Sequence, residues 1–369
     1  MKEYSPESVN QEVEKVLQAQ KVPNILICGQ TGVGKSSVVN YLFNESVAVS
    51  GDNGEPCTRG ITLFRNNTVN IYDSEGYEIG GERQKYYEQL IFDDFLAKRK
   101  GTTDADAVHL VWYAISGAAK KFTELDIKLI KRIKADGFHA CVLLTKIDEL
   151  NEEQLNDMMA ALQKDLPGAD VFRLSINARQ DEGLAQFCDW DKLTDWSYNH
   201  LAGTLKERFV MALRGRLDLK HKQATGIVAG ATTAAATVGA IPIPFSDAAL
   251  LVPVQTGMIM GIAGIYGIHI GKAAISSVAA GTGISALGKS VAGGLMKLIP
   301  GIGTVAGAIV NASVAGTITG ALGGAFSELC YKQCKDSLDG KPPAVDIEQI
   351  LTGPAFIAEV IRRAKEAKQ

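Results

Sequence analysis

A doubly wound α/β domain followed by an all-α, glycine- and alanine-rich hydrophobic domain is the architecture that three observations predict. A glycine-rich loop, Gly29-Gln30-Thr31-Gly32-Val33-Gly34-Lys35-Ser36, sits between an apolar run and a stretch of helical periodicity. Short apolar runs alternate with polar or amphipathic stretches as far as about Leu201, the pattern of a mainly parallel sheet with crossover helices. From Gln223 to Ser327 the only charged residues are Asp247, Lys272, Lys289 and Lys297, a composition suited to helices that are apolar all round.

A chain of 369 residues is expected to hold two domains, each able to bury a core. We read an N-terminal amphipathic helix over 1–20, the α/β domain over 21–203, a connecting helix over 204–222, the hydrophobic helical domain over 223–337 and a polar helical tail over 338–369.

Val22 to Cys28 is a buried strand and Ser36 to Phe43 a helix, so the glycine-rich loop has the flanks of a phosphate-binding P-loop. In such a loop the backbone of Gln30, Thr31, Gly32, Val33, Gly34, Lys35, Ser36 and Ser37 wraps phosphate oxygens. Lys35 reaches the β and γ phosphates and is the catalytic candidate, while the Ser36 hydroxyl is a magnesium ligand. Thr68 to Tyr72 alternates like a strand and leads into Asp73-Ser74-Glu75-Gly76. In a D-x-x-G loop of this kind the Asp anchors a magnesium-bound water and the Gly amide reaches the γ phosphate. Val108 to Ile115 reads as a central strand, Leu125 to Lys134 as a crossover helix, Ala140 to Thr145 as a further strand, Asn151 to Lys164 as another helix and Val171 to Leu174 as the last strand.

At the end of the strand before them lie Thr145-Lys146-Ile147-Asp148, where open α/β sheets place ligand contacts. A carboxylate there accepts hydrogen bonds from guanine N1–H and its 2-amino group. Adenine offers an acceptor at N1 and no 2-amino group, so it would leave Asp148 unpaired. The Lys146 stem can lie against the base. The order of the motifs therefore implies GTP or GDP with Mg2+ as cofactors.

These motifs resemble those of the Ras-like P-loop GTPase superfamily over about residues 20 to 200. Pro56-Cys57-Thr58-Arg59-Gly60 looks like the switch I of its Era-like branch. The resemblance implies Thr58 as the second magnesium ligand, with Thr62 as the alternative. Leu174-Ser175-Ile176-Asn177 is similar to the loop whose backbone amide meets guanine O6, which assigns Ser175 and Ile176 to the nucleotide; Ile176 stands where the family usually has alanine. Gly32 occupies the position where potassium-activated members have asparagine, so potassium activation is not implied. Tyr77 follows Gly76, where Ras-like enzymes keep the glutamine that orients the attacking water. Slow intrinsic hydrolysis is the expectation, raised by a partner, dimerisation or a membrane. The P-loop together with Val111-Trp112-Tyr113 is also similar to septins and immunity-related GTPases, which implies nucleotide-dependent homo-oligomers by analogy alone.

The formal net charge of −3, with no basic stripe, argues against nucleic acid as a partner. The six cysteines are scattered and lack zinc spacing, which suits reduced cytosolic thiols. The helix over 1–20 either packs on the α/β domain or touches a membrane.

The runs Ala224 to Ser246, Ala248 to Gly271 and Leu298 to Ser327 each exceed the roughly 20 residues that span a bilayer. Gly257, Gly261 and Gly264, and Gly301 with Ala306 and Gly307, offer close helix packing. Against this, the runs are only mildly hydrophobic, and Pro242, Pro244, Pro253 and Pro300 interrupt or end them. A lipid bilayer contact and a soluble bundle both follow from such a composition. Ile241-Pro242-Ile243-Pro244-Phe245-Ser246-Asp247, Gln255, Met258 and Tyr266-Gly267 resemble the helical domain of the YcjF type, of unestablished function, over about 225 to 335. Asp247 is either a helix cap after a proline turn or a polar group held in apolar surroundings. The combined expectation is a slow GTPase whose switch loops control the helical domain, at a membrane. The alternative is a GTP-binding scaffold with negligible hydrolysis and a soluble bundle.

Overall fold

Strand β1 (Asn24–Gly29) is buried along its length, as a strand inside a parallel sheet must be. The computed structural model describes residues 21–43, 55–58, 60–65, 68–77, 81–100, 106–119, 122–239, 247–268, 270, 312–341, 350–351 and 353–367. The amphipathic helix expected over 1–20, the proline turn at 242–244 and the small residues at 301–307 lie outside them. Two compact units emerge, Gln20–Gly215 and the described residues from Arg216 onward.

In the first unit β1 is followed by α1 (Lys35–Leu42), β2 (Glu55–Thr58), β3 (Ile61–Arg65), β4 (Asn70–Ser74) and α2 (Gly81–Gln89). Then come β5 (Leu110–Ser116), α3 (Glu124–Ala135), β6 (Ala140–Thr145), α4 (Glu152–Asp165), β7 (Val171–Arg173), α5 (Glu182–Ala185), α6 (Trp190–His200) and α7 (Thr204–Ala212). They build one 7-stranded sheet of order β2-β3-β4-β1-β5-β6-β7. β3 runs antiparallel to β2 and β4, and the other neighbours are parallel. Successive strands leave β1 in opposite directions, so the crevice at its carboxyl end is a topological switch point.

β4 is displaced two residues along the chain from the TVNIY strand of the sequence reading. Pairing on both sides carries it on: Ile27 faces Asp73 across β1, and Ile61 faces Ser74 across β3. Asp73 therefore stands on the sheet rather than in the loop. Both crossover helices start at capping boxes, Thr123 with Asp126 and Asn151 with Gln154, which satisfy end N–H groups reciprocally. Trp112, Tyr72, Tyr113, Phe43, Phe95 and Phe209 are the largest fully buried aromatics around the sheet.

A clamp ties β7 to the start of α6. Arg173 Nε and Nη2 donate to Asp189 Oδ2 and Oδ1 at 2.7 and 3.1 Å, and Lys192 Nζ donates to Oδ1 at 2.7 Å. Burial pushes the Asp189 carboxyl up, but these bonds outweigh it and bring it down to about 2. A depressed carboxylate contributes stability above its unfolded pKa, and this is lost as pH falls through the folded value. Asp189→Asn is expected to cost up to about 2 kcal/mol at pH 7. The difference from wild type should shrink between pH 4 and pH 2, as denaturant unfolding across that range would show.

The second unit holds α8 (Leu217–Gly239), α9 (Asp247–Tyr266), α10 (Ala312–Leu338) and α11 (Pro354–Glu366). The stretch 204–222, expected as one helix, is divided between α7 and α8 by Arg216, whose φ of 53° lies in the left-handed region. Pro253 does not end its run: α9 continues through it with the ring on the exposed side. Of the glycines the sequence suggested, Gly261 does meet a neighbouring helix, its added Cβ lying 3.2 Å from Ile227 Cδ1, but a tighter approach is made at a position the sequence did not single out. A Cβ on Gly323 would sit 2.5 Å from Met258 Sδ and 2.8 Å from Val228 Cγ2, whereas Gly257 has open space. Buried Lys220 staples the end of α9, its Nζ donating to the Ile265 carbonyl at 2.6 Å. Burial lowers that ammonium to about 8, with Cys334 opposing. Among the described residues, no helix is long and apolar enough to cross a membrane. The side chain of Asp247 is not among those described.

Candidate functional site

The loop after β1 is shaped by glycine. Gly29, Gly32 and Gly34 have φ of 137°, 77° and 94°, and Gly34 precedes α1 in the left-handed conformation. These values favour glycine and let backbone nitrogens turn toward an anion at the helix start. Lys35 is buried at 8 % exposure, its Nζ donating to the carbonyls of Gly29 at 3.3 Å and Gln30 at 3.0 Å. Burial lowers its pKa, with Asp73 and then Cys28 opposing.

Ser36 Oγ donates to Asp73 Oδ2 at 3.0 Å, which brings the first turn of α1 to the end of β4. The other carboxylate oxygen, Asp73 Oδ1, is buried without a hydrogen-bond partner. Burial raises the Asp73 pKa, and Lys35 and Ser36 oppose it. A hydroxyl and a half-exposed carboxylate with an orphaned oxygen fit a hard divalent cation. Thr58 lies at the end of β2, its side chain outside those described, while half-buried Thr62 pairs across the sheet with Asp73.

Gly76 closes over the P-loop with φ 70°. A Cβ there would fall 2.7 Å from the Thr31 nitrogen and 2.8 Å from Lys35 Nζ. The Thr31 N–H donates to the Tyr77 carbonyl at 3.1 Å. Tyr77 itself points inward, at 2 % exposure.

On the other side, Thr145 Oγ1 has two carbonyls within reach, Val33 at 2.6 Å and Ile115 at 3.1 Å. Its hydroxyl thus anchors the P-loop from β6. Lys146 adopts φ 53°, unusual for a residue with a side chain, and Asp148 follows in an exposed single turn. Asp148 Oδ2 accepts from Asn177 Nδ2 at 2.9 Å. Ser175 is buried; its Oγ accepts from Asn177 N at 3.1 Å and its carbonyl from Trp190 Nε1 at 3.1 Å. Ile176 is 48 % exposed. Gln30 to Ser37, Asp73 and Gly76 converge at the carboxyl ends of β1 and β4, with Thr145, Lys146, Asp148, Ser175 and Ile176 at the ends of β6 and β7.

The sequence reading missed the supports of this site. Trp190 stacks on Tyr41 at 3.9 Å, and the Arg179 guanidinium covers the other side of Tyr41 at 4.1 Å while donating to its carbonyl. Asn177 orients Asp148. Asp126, 1 % exposed, gathers Tyr77, Tyr113, Thr123 and Gln30. The Thr123-x-x-Asp126 pattern before an apolar run signals a helix cap, but nothing local announces the other partners.

Residues 24–146 match the family described as 50S ribosome-binding GTPase, and residues 201–352 match DUF697, a domain of unknown function. A probable GTP-binding protein EngB from Wolbachia pipientis is 27 % identical over 156 residues, 41 % of this chain and 75 % of that protein. Neuronal-specific septin-3 of Danio rerio is 23 % identical over 244 residues, 60 % of this chain and 66 % of the relative. The crystal structure of a probable GTP-binding protein engB aligns with 48 % of this chain and 97 % of its own, at 12 % identity and a TM-score of 0.36.

Proposed function

We propose, from the premise that this chain joins a P-loop GTPase domain to a DUF697 domain, that it binds GTP and hydrolyses it slowly to GDP and phosphate. The observation that supports this best is the meeting of Lys35, Ser36 and Asp73 under Gly76, with the orphaned Asp73 Oδ1. Water attacks the γ phosphorus, the bond to the β–γ bridging oxygen breaks, and that oxygen leaves on GDP. Lys35 and the P-loop amides stabilise charge on the β and γ oxygens. Ser36 and Asp73, with Thr58, are the residues that would hold Mg2+, which supplies further neutralisation of phosphate charge. Tyr77 has its hydroxyl committed to Asp126 at 2.6 Å, so no side chain at that position orients the attacking water, which favours a low intrinsic rate.

Thr58 and the segment around Gly76 are the switch elements whose ordering around a γ phosphate controls the helical domain or self-association. Contact of residues 223–337 with a lipid bilayer rests on composition alone, and the basic residues Arg362, Arg363, Lys365 and Lys368 are the ones that would face anionic headgroups. The test is phosphate release by the full chain, with and without anionic vesicles, against Lys35→Ala and Ser36→Ala. Slow release, lost at least a hundredfold in both variants and raised by vesicles, supports the whole reading. Release that ignores vesicles removes the membrane role. Absence of mutation-sensitive release in every condition leaves a GTP-binding scaffold.

A further inference from the structure

Beneath the P-loop lies a carboxylate that the proposed reaction does not use. Asp126, in the first turn of α3, receives five hydrogen bonds: from Tyr77 Oη at 2.6 Å and Tyr113 Oη at 2.8 Å on Oδ1, and from Thr123 N at 2.8 Å, Thr123 Oγ1 at 2.8 Å and Gln30 Nε2 at 3.3 Å on Oδ2. Gln30 Nε2 also reaches Tyr77 Oη at 2.9 Å. These donors fall into two kinds. Tyr113 on β5 and Thr123 at the cap of α3 belong to rigid elements. Tyr77 follows Gly76 directly, and Gln30 is the first variable residue of the P-loop.

The neighbouring tyrosine repeats the arrangement. Tyr87 on α2 is buried, with its ring 5.2 Å from that of Tyr77. Its hydroxyl accepts from Gly29 N at 3.0 Å and bonds to Ser74 Oγ at 2.9 Å. The segment on either side of Gly76 is thus held at both ends, Ser74 by the Tyr87 hydroxyl and Tyr77 by the buried Asp126.

We propose that Asp126 is a positioning residue for γ-phosphate recognition, anchoring the Gly76 turn to the P-loop through Tyr77 and Gln30. The inference rests on the GTP-binding reading and deepens it. Tyr77 keeps the same position along the chain that would otherwise offer a water-orienting side chain, and turns it into a tether. The tether holds this switch segment close to Lys35, which lowers the ordering cost that the γ phosphate has to meet there. The β phosphate is held by P-loop amides beyond Gln30 and does not depend on the tether.

The test compares affinities of the full chain for GTPγS and for GDP, with magnesium, in wild type, Tyr77→Phe, Asp126→Asn and Tyr113→Phe. Tyr77→Phe keeps the buried ring and removes the tether, together with a 3.0 Å contact to Thr123 Oγ1. Tyr113→Phe removes a bond to the same oxygen from the rigid strand, and so controls for lost stability. Expected is a fall of about tenfold or more in GTPγS affinity for Tyr77→Phe and Asp126→Asn, with GDP affinity within about twofold of wild type and Tyr113→Phe preserving the ratio of the two. An unchanged ratio in Tyr77→Phe, or an equal shift in Tyr113→Phe, overturns the tether while leaving GTP binding intact. Wild-type protein that takes up neither nucleotide overturns the GTP reading and the tether with it. Should Asp126→Asn fail to fold, Tyr77→Phe alone decides.

Discussion

Asp148→Asn is expected to lose guanine nucleotide by a hundredfold or more, about 3 kcal/mol, and to gain xanthine nucleotide. Asp148 Oδ2 accepts from Asn177 Nδ2 at 2.9 Å. In the variant the new amide has to turn its oxygen toward that donor, which leaves its NH2 group facing the base. Guanine presents two donors there and would meet a third. Xanthine presents a carbonyl at C2 and accepts from the amide. Calorimetry with GDP, XDP and ADP on the purified full chain checks the exchange, and GDP affinity kept within tenfold would remove Asp148 as the base reader. The charge of Asp148 is exposed, so the fold should survive and the effect should be confined to the ligand.

Gly29→Ala is expected to unfold the α/β unit. Gly29 lies opposite Ala114 in the parallel register of β1 and β5. A Cβ at its φ of 137° would lie 2.2 Å from the Ala114 carbonyl oxygen. That oxygen belongs to a strand held between β1 and β6, so neither backbone can retreat without breaking a ladder. The cost should be about 3 kcal/mol or more, within the range in which backbone clashes unfold ordinary domains. Gly32→Ala makes the contrast: its φ is 77°, but a Cβ there has nothing within 4 Å. It should lose only about 1–2 kcal/mol, the strain of a left-handed residue. Thermal melts of the two variants by circular dichroism test the difference. Equal melting would mean that β1 and β5 do not pair in this register.

Much of the α/β half was legible because its signals are local. The P-loop glycines, the apolar runs of β1, β5 and β6, and Thr145 to Asp148 each declare themselves within a few residues. Strand ends were less legible. β4 shifted because Asp73 and Ser74 are recruited by β1 and β3, partners that TVNIY does not contain. In the helical unit, spacing alone put the close packing at Gly257, Gly261 and Gly264; Gly261 does meet Ile227, but Gly257 faces open space and Gly323 is the position pressed against Met258 and Val228. Many glycines satisfy the spacing, and only the facing side chain selects among them. Pro253 shows the same limit, since one lost hydrogen bond on an exposed face is outweighed by the packing of the helix that carries it.

The amino-acid order by itself determined the architecture of the chain, an α/β domain with a glycine-rich loop after its first strand joined to an apolar helical domain, because those signals are written in short local patterns. Tertiary structure alone decided what supports them: Asp126 under Tyr77 and Gln30, Asn177 on Asp148, Trp190 on the Ser175 carbonyl. Those partners lie between 15 and 96 residues apart, and a buried acid chooses its donors from whatever the folded sheet brings within hydrogen-bonding reach.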